Sequence, residues 1–585
     1  MTSNDETHGL PSPSDVVFAD IEADGLHPTR IHCLVVKYRG KREVIYDAGS
    51  FHKYMLRVDG APFCFHNGLG YDCPVLRRLW GVKVHNCIDT LVLSSLANPS
   101  RSGGHSLRAW GNRLGFPKGD YKGSWEHYNW PMLRYCVRDV DVTERLYEAL
   151  REELQGFSAE SIELEHDVAR IIQKQVNHGW YFRLQDAHQL HAKLKEKQYE
   201  LEDKVREHFK PLPTFVKEVV PKYKKTDGEL SAVGLKFLGD NWTQVAGEFS
   251  RIDFQPFNLG SRQQIGRYLQ HFGWEPKVFT ETGQPQVDET ILSSVTDIPE
   301  AQMIAEYLMV QKRVAQIHSW IEAIGDDQRI HGRVRSNGAI TGRMTHDSPN
   351  VAQVPSSNAP YGEECRSLWT VPEGFSLVGC DASGLELRML AHYMNDEEYT
   401  NVLLTGDIHS VNQAASGLST RDQAKTFIYA FLYGAGDAKI GSIVGGNRRT
   451  GKELKERFLR NTPSLKDLRE RVERSADRGY LKGLDGRKLH VRSSHAALNT
   501  LLQGAGAIVM KRGLQILDSY VPKWKIQMNF VGNIHDEWQM EVRQGQEDKL
   551  GHLAVASIQA AGQSFNLRCP LDGEYKVGKT WASTH

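Results

Sequence analysis

The stretch 532-GNIHDEWQMEV-542 reads as the second half of a β-hairpin with acids at its tip. Trp538, Met540 and Val542 alternate with polar residues, the period of a half-buried strand. The run before them, 528-MNFVGNI-534, is apolar, and Asp536 and Glu537 sit side by side where it ends. One aspartate cannot hold two divalent ions, so a second acid is expected at another strand end. The segment 376-SLVGCDASGLELRMLAHYM-394 supplies it. Ser376 to Cys380 read as a buried strand that Asp381 ends, and a helix opens near Leu385. Gly379 and Gly384 permit close backbone approach. Asp381 and Asp536 are thus expected to face each other across a small sheet.

A paired-acid site of this kind suits phosphoryl transfer, which depends on positioning and charge neutralisation. Further cations then have to come from the chain. In 421-RDQAKTFIYAFLYGAG-436, Arg421, Lys425, Tyr429 and Tyr433 recur every four residues. Each step drifts by only about 40° around a helix, so one stripe carries two cations and then two rings. The cations fit the phosphate end of a nucleoside triphosphate and the rings its sugar and base. His409, in 406-GDIHS-410, is a further candidate phosphate contact.

A second group of acids lies near the N-terminus. Asp20 and Glu22, in 18-FADIEADG-25, share one face of a strand. Asp72 follows the turn in 65-FHNGLGYDCPVL-76, and Asp139 lies one helical turn after Tyr135 in 135-YCVRDVDVT-143. Carboxylates in apolar surroundings are costly unless they bind cations. All-oxygen donors suit Mg²⁺ or Mn²⁺, and two such ions can serve phosphodiester hydrolysis.

The bulk properties are those of a globular protein of roughly two to four domains, with 40% hydrophobic and 25% charged residues. No run of about 18 apolar residues suggests a membrane span. The polar start, residues 1–14, reads as a disordered tail without a secretion signal. Eight cysteines without a CxxC pair argue for a reducing cytoplasm and against a zinc site. Formal charge balances at 72 basic and 72 acidic residues, but 421–492 holds 18 Lys/Arg against 9 Asp/Glu, enough for a local polyanion surface. Strands are expected in 15-DVVFADIEA-23, 31-IHCLVVKYRG-40 and 42-REVIYDAGS-50, and helices near 74–80, 132–150 and 186–209. The stretch 210–231 shows no clear period.

The order D-x-E, N-x(4)-D, Y-x(3)-D resembles the DEDDy class of 3′–5′ exonucleases, as do 87-CIDTLVLSSL-96 and 103-GGHSLRAWGNRLG-115. The resemblance implies that Asp20, Glu22, Asp72 and Asp139 hold two metals and that Tyr135 positions the attacking water. The three later blocks together resemble DNA polymerase family A, nearest in wording to the replicative enzymes of short-tailed bacteriophages. The resemblance runs from about residue 15 to 585. It implies that Asp381 and Asp536 hold two Mg²⁺ (Mn²⁺ as a substitute), with Glu537 a secondary acid near the primer end. It also implies that Lys425, Arg421 and His409 face the triphosphate and that Glu386 excludes the ribose 2′-hydroxyl. Tyr at 429, where many members have Phe, accompanies poor rejection of dideoxynucleotides. In 337-NGAITGRMTHDSPNVAQVP-355, Arg343, Asn350 and Gln353 match DNA contacts; so do Asn499 and Gln503 in 495-HAALNTLLQGAGA-507 and Asn258, Ser261 and Arg262 in 257-FNLGSRQQIGRYL-269.

The implied fold is α/β and α+β multidomain: a ribonuclease H-like 3′–5′ exonuclease domain (15–150), then a right-hand polymerase. Its parts are connector and thumb (151–330), first palm part (331–394), fingers (395–488) and second palm part (489–585). The implied partners are primer-template DNA, deoxynucleoside triphosphates, a replicative helicase-primase and a single-strand-binding protein, in a bacterial host cytoplasm. The chain starts at the exonuclease without the 5′-nuclease of cellular relatives. Its 205–256 stretch is shorter than the basic thumb insertion of the best-known phage relative, so thioredoxin is not carried over. Rival readings are a single-subunit RNA polymerase, which Glu386 and the N-terminal acids oppose; an exonuclease with a DNA-binding C-terminal half, which intact Asp381, Asp536 and Lys425 oppose; and a non-catalytic scaffold, supported by the basic stretch alone.

Overall fold

The apolar runs near the N-terminus form a five-stranded sheet in the computed structural model, which describes residues 9–220, 222–232, 235–236, 249–280 and 282–585. Its strands are β1 (Val17–Ala23), β2 (Ile31–Tyr38), β3 (Lys41–Ile45), β4 (Phe63–Phe65) and β5 (Cys87–Asp89), in the order β3-β2-β1-β4-β5. The first three pair antiparallel, while β4 runs parallel to β1 and β5 to β4. Helices α1 (Asp72–Trp80), α2 (Leu107–Arg113) and α3 (Trp130–Glu153) accompany the sheet, and α4 (Ala159–His178) follows. The third strand ends at Ile45, earlier than its apolar pattern suggested, because Asp47 caps the next helix by accepting the Ser50 N–H. Of the expected tail, residues 1–8 lie outside the described residues. Packing has begun by Leu10, which is buried, and the Pro11 carbonyl accepts the Tyr147 hydroxyl.

The chain divides into two units, one running up to Arg183 and resuming over Ala323–His585, the other Leu184–Glu322. In the second, the long helices Leu184–His208 and Pro299–Glu322 pack together. The stretch read as lacking a period contains a strand, Leu212–Val219, paired antiparallel with Phe249–Gln255. Residues 233–234 and 237–248 of the expected thumb stretch lie outside the described residues.

The first unit's C-terminal part is built on a four-stranded antiparallel sheet. Its strands are β6 (Phe375–Ala382), β7 (Met528–Ile534), β8 (Glu537–Arg543) and β9 (Gly573–Gly578), in the order β7-β8-β6-β9. Around it lie α5 (Leu385–Met394), α6 (Ile408–Ser416), α7 (Arg421–Leu432), α8 (Ala497–Tyr520) and α9 (Glu547–Ser564). One core cluster holds Trp538, Met540 and Val542 together with residues of α8 and α9. Gly513 of α8 lets the Trp538 ring approach so closely that a Cβ there would lie 2.9 Å from it.

The other face of β8 is covered too. Trp180, Trp369 and Trp581 cluster with ring centroids 5.0–6.4 Å apart. Glu541 meets His178 and Arg329 at 3.0 Å. β8 is therefore buried on both sides through Val542, where alternation had suggested one wet face. All eight cysteines are free thiols. Among the described residues no helix is long and apolar enough to cross a membrane.

Candidate active sites

Register brings the two key aspartates together. Asp381 lies opposite Glu537 across the β6–β8 ladder, and the Ala382 N–H donates to the Asp536 carbonyl at 3.1 Å. Asp536 occupies the hairpin turn after His535, whose φ is 59°. Burial pushes the Asp381 carboxyl up to about 7, with the negative charges of Asp536 and Glu537 adding to the rise. Crowded oxygen donors short of a cation are what a hard divalent ion fits.

Glu537 departs from the expected pair at the tip. It is the first residue of β8 and is buried. Its Oε1 accepts Trp581 Nε1–H at 2.8 Å and the Gln539 amide, and Oε2 meets His585 Nδ1 at 2.9 Å. Burial raises this carboxyl, but these bonds, led by His585, bring it below the ordinary range.

The helical stripe forms as its period requires. Thr420 caps α7 by accepting the Gln423 N–H, and Ala424, Phe427, Ile428 and Phe431 take the buried face. Arg421, Lys425 and Tyr433 are exposed and Tyr429 is half-buried. The two tyrosine rings stack with centroids 6.4 Å apart, and His409 stands 6.4 Å from Tyr429. Tyr433 is the C-cap, and its hydroxyl donates to Glu386 Oε2 at 2.6 Å, while Arg343 donates to Oε1 at 3.1 Å. Burial raises the Tyr429 hydroxyl, and the charges of Glu386 and Asp536 raise it further. Arg421 donates to Asp407 at 2.7 Å, a partner that motif reading did not reveal.

Asn499 and Gln503 are the half-exposed positions at the largely buried start of α8, four residues apart. Asn350 and Gln353 are exposed at the ends of a short 3-10 turn. In the second unit, Ser261 caps the helix Arg262–His271, and the Asn258 amide oxygen accepts the Gly260 N–H.

The N-terminal acids also converge. Asp20 and Glu22 share a face of β1, and the Ile21 N–H between them donates to Asp72 Oδ1 at 3.2 Å. The turn that delivers Asp72 is held by buried Asp89, which accepts the Asn67 and Leu69 N–H groups. On α3, Asp139 and Tyr135 both meet Lys118, whose ammonium is 2.5 Å from Asp139 Oδ2 and 4.6 Å from the Tyr135 ring centroid. The Cys136 thiol donates to Asp20 at 3.3 Å and 3.4 Å. Burial is the main cause that raises all four acids: Asp20 well above its ordinary range, Glu22 to about 9, Asp72 to about 7 and Asp139 to about 6. Negative charges within the group add to the first three, and Lys118 draws Asp139 back. Among the described residues the buried Asp139 Oδ1 has no hydrogen-bond partner, an orphan oxygen that a divalent ion would satisfy. Neither Lys118 nor Cys136 belongs to a motif, and their positions emerge only from the packing.

The sequence profile of DNA polymerase family A matches residues 234–583. The DNA-directed DNA polymerases of Enterobacteria phage T3 and Escherichia phage T7 are each 36% identical, over 97% of this chain and 100% of their own. The thermostable DNA polymerase I of Thermus aquaticus is 27% identical over 60% of this chain and 45% of its own. Among solved structures, the POL domain of Pol1 from M. smegmatis, in complex with DNA primer-template and dNTP, superposes with a TM-score of 0.77 at 18% identity. That match covers 97% of this chain and 96% of the other.

Proposed function

The chain belongs to DNA polymerase family A, and from that premise we propose how its two acid clusters divide the work of a replicative DNA-directed DNA polymerase. Asp381 and Asp536 hold the divalent ions of the synthetic site, two Mg²⁺ with Mn²⁺ as a substitute. Such ions, when bound, neutralise phosphate charge and favour the ionised primer 3′-hydroxyl. Arg421, Lys425 and His409 meet the triphosphate, the Tyr429 and Tyr433 rings face its base and sugar, and Glu386 closes the space a ribose 2′-hydroxyl would need. Asn258, Ser261, Arg262, Arg343, Asn350, Gln353, Asn499 and Gln503 hold primer-template DNA. Asp20, Glu22, Asp72 and Asp139, with Tyr135 orienting a water, remove a mispaired primer end. Such an editing site supplies discrimination that base-pair energies do not reach. A phage replication role implies a helicase-primase and a single-strand-binding protein as partners.

The observation that carries this reading is the meeting of Asp381 with the Asp536 turn, joined through Glu386 to a helix face bearing cations and stacked tyrosines. A labelled primer on a longer template tests it. The unmodified chain should extend the primer with deoxynucleotides, strongly disfavour ribonucleotides, and shorten it from the 3′ end when nucleotides are withheld. EDTA should stop both reactions. Efficient ribonucleotide addition would favour the RNA polymerase reading, and an undegraded primer would remove the editing assignment.

A further inference from the structure

The loop between α2 and α3 delivers an ammonium into the acid cluster, and its backbone is fixed on both sides. The Phe116 N–H donates to the Gly111 carbonyl at 2.9 Å, and the Pro117 carbonyl accepts Arg138 Nε–H at 2.9 Å. The guanidinium groups of Arg138 and Arg145 stand 3.3 Å and 3.5 Å from the Phe116 ring centroid. Gly111 admits the loop closely; a Cβ there would lie 2.8 Å from the Lys118 backbone nitrogen. Lys118 is thus held in place from its backbone outward, with its side chain largely buried.

The ammonium sits at one end of the cluster. It takes Asp139 Oδ2, leaves Oδ1 orphaned, lies by the Tyr135 ring, and its charge also reaches Asp20 and Glu22. Asp72 is held separately, through the Ile21 N–H. We propose that Lys118 stands in for one of the two divalent ions while no DNA is bound. It neutralises the Asp139 end and keeps Asp139 and Tyr135 in position, so the DNA-free site takes up one ion. Lys118 is then a positioning residue, acting through Asp139. This inference rests on the reading of these acids as a metal site.

Counting ions tests it without using activity. The full chain carrying Asp381→Asn and Asp536→Asn, to silence the other acid pair, is titrated with Mn²⁺ in the absence of DNA. Free Mn²⁺ is followed by electron paramagnetic resonance, and only binding removed by Asp20→Asn is counted. The parent should bind one ion; Lys118→Met should bind two, and Lys118→Arg should return the count to one. Lys118→Gln replaces the methionine variant if circular dichroism shows the latter unfolded. Two ions in the parent, or one in the Lys118→Met or Lys118→Gln protein, overturns the inference and leaves the metal site standing. No Asp20-dependent binding in any variant removes the metal reading and the inference with it.

Discussion

At Asp381, burial and the negative charges of Asp536 and Glu537 act in the same direction, and both penalise the ionised form. Asp72 and Asp139 are raised as well, chiefly by burial. An aspartate raised on folding keeps its proton where the unfolded chain, with a value of about 4, has lost it. The unfolded state then binds fewer protons, so this contribution to stability is present below about 4 and declines as pH climbs toward about 7. A divalent ion reverses the penalty by favouring the ionised oxygens. The gap in melting temperature between Mg²⁺ and EDTA should therefore widen from pH 5 to pH 8. A constant gap in differential scanning fluorimetry would show that no ion rests on these acids.

Helix α7 carries two tasks on opposite faces, and substitutions should separate them. Phe427 is fully buried, so Phe427→Ala should cost about 3–5 kcal/mol of stability in denaturant unfolding. Exposed Lys425 supports no core, and Lys425→Ala should leave stability within about 0.5 kcal/mol. It should instead slow nucleotide addition by roughly 100-fold, as losing a preorganised charge at a reacting phosphate does. Equal damage from both changes to folding would contradict the division. This helix was legible beforehand because period four sorts residues by face, and Asp20, Glu22, Asp381 and Asp536 were legible because acids that end apolar strands stand out. The burial of Glu537 was not, since alternation cannot tell that the polar face of β8 is covered by Trp581 and His585. Lys118 was a lone loop cation until packing set it against Asp139. The strand Leu212–Val219 pairs with a distant segment, and no local period announced it.

Across the whole molecule, a buried charge cluster joins segments far apart in the chain. Glu165 of α4 accepts from both Arg487 and Lys511 at 2.5 Å, and Asp485 takes the rest of the Arg487 guanidinium. Burial lowers the Lys511 ammonium to about 8 even with Glu165 beside it. Glu165→Leu would strand the buried Lys511 ammonium, leaving Arg487 to Asp485 alone, and should cost about 3–5 kcal/mol, read by chemical denaturation. A loss below about 1 kcal/mol would mean that water reaches the cluster. The same architecture keeps the two acid clusters on separate sheets, one on β1 and one on β6 with the β7–β8 turn. The most direct test of the account is a paired assay on folded Asp536→Ala and Asp20→Ala proteins with one labelled primer-template. Asp536→Ala should abolish primer extension while the primer is still shortened, and Asp20→Ala should abolish shortening while extension continues. Loss of both reactions in either protein would contradict the assignment of synthesis and editing to two independent sites.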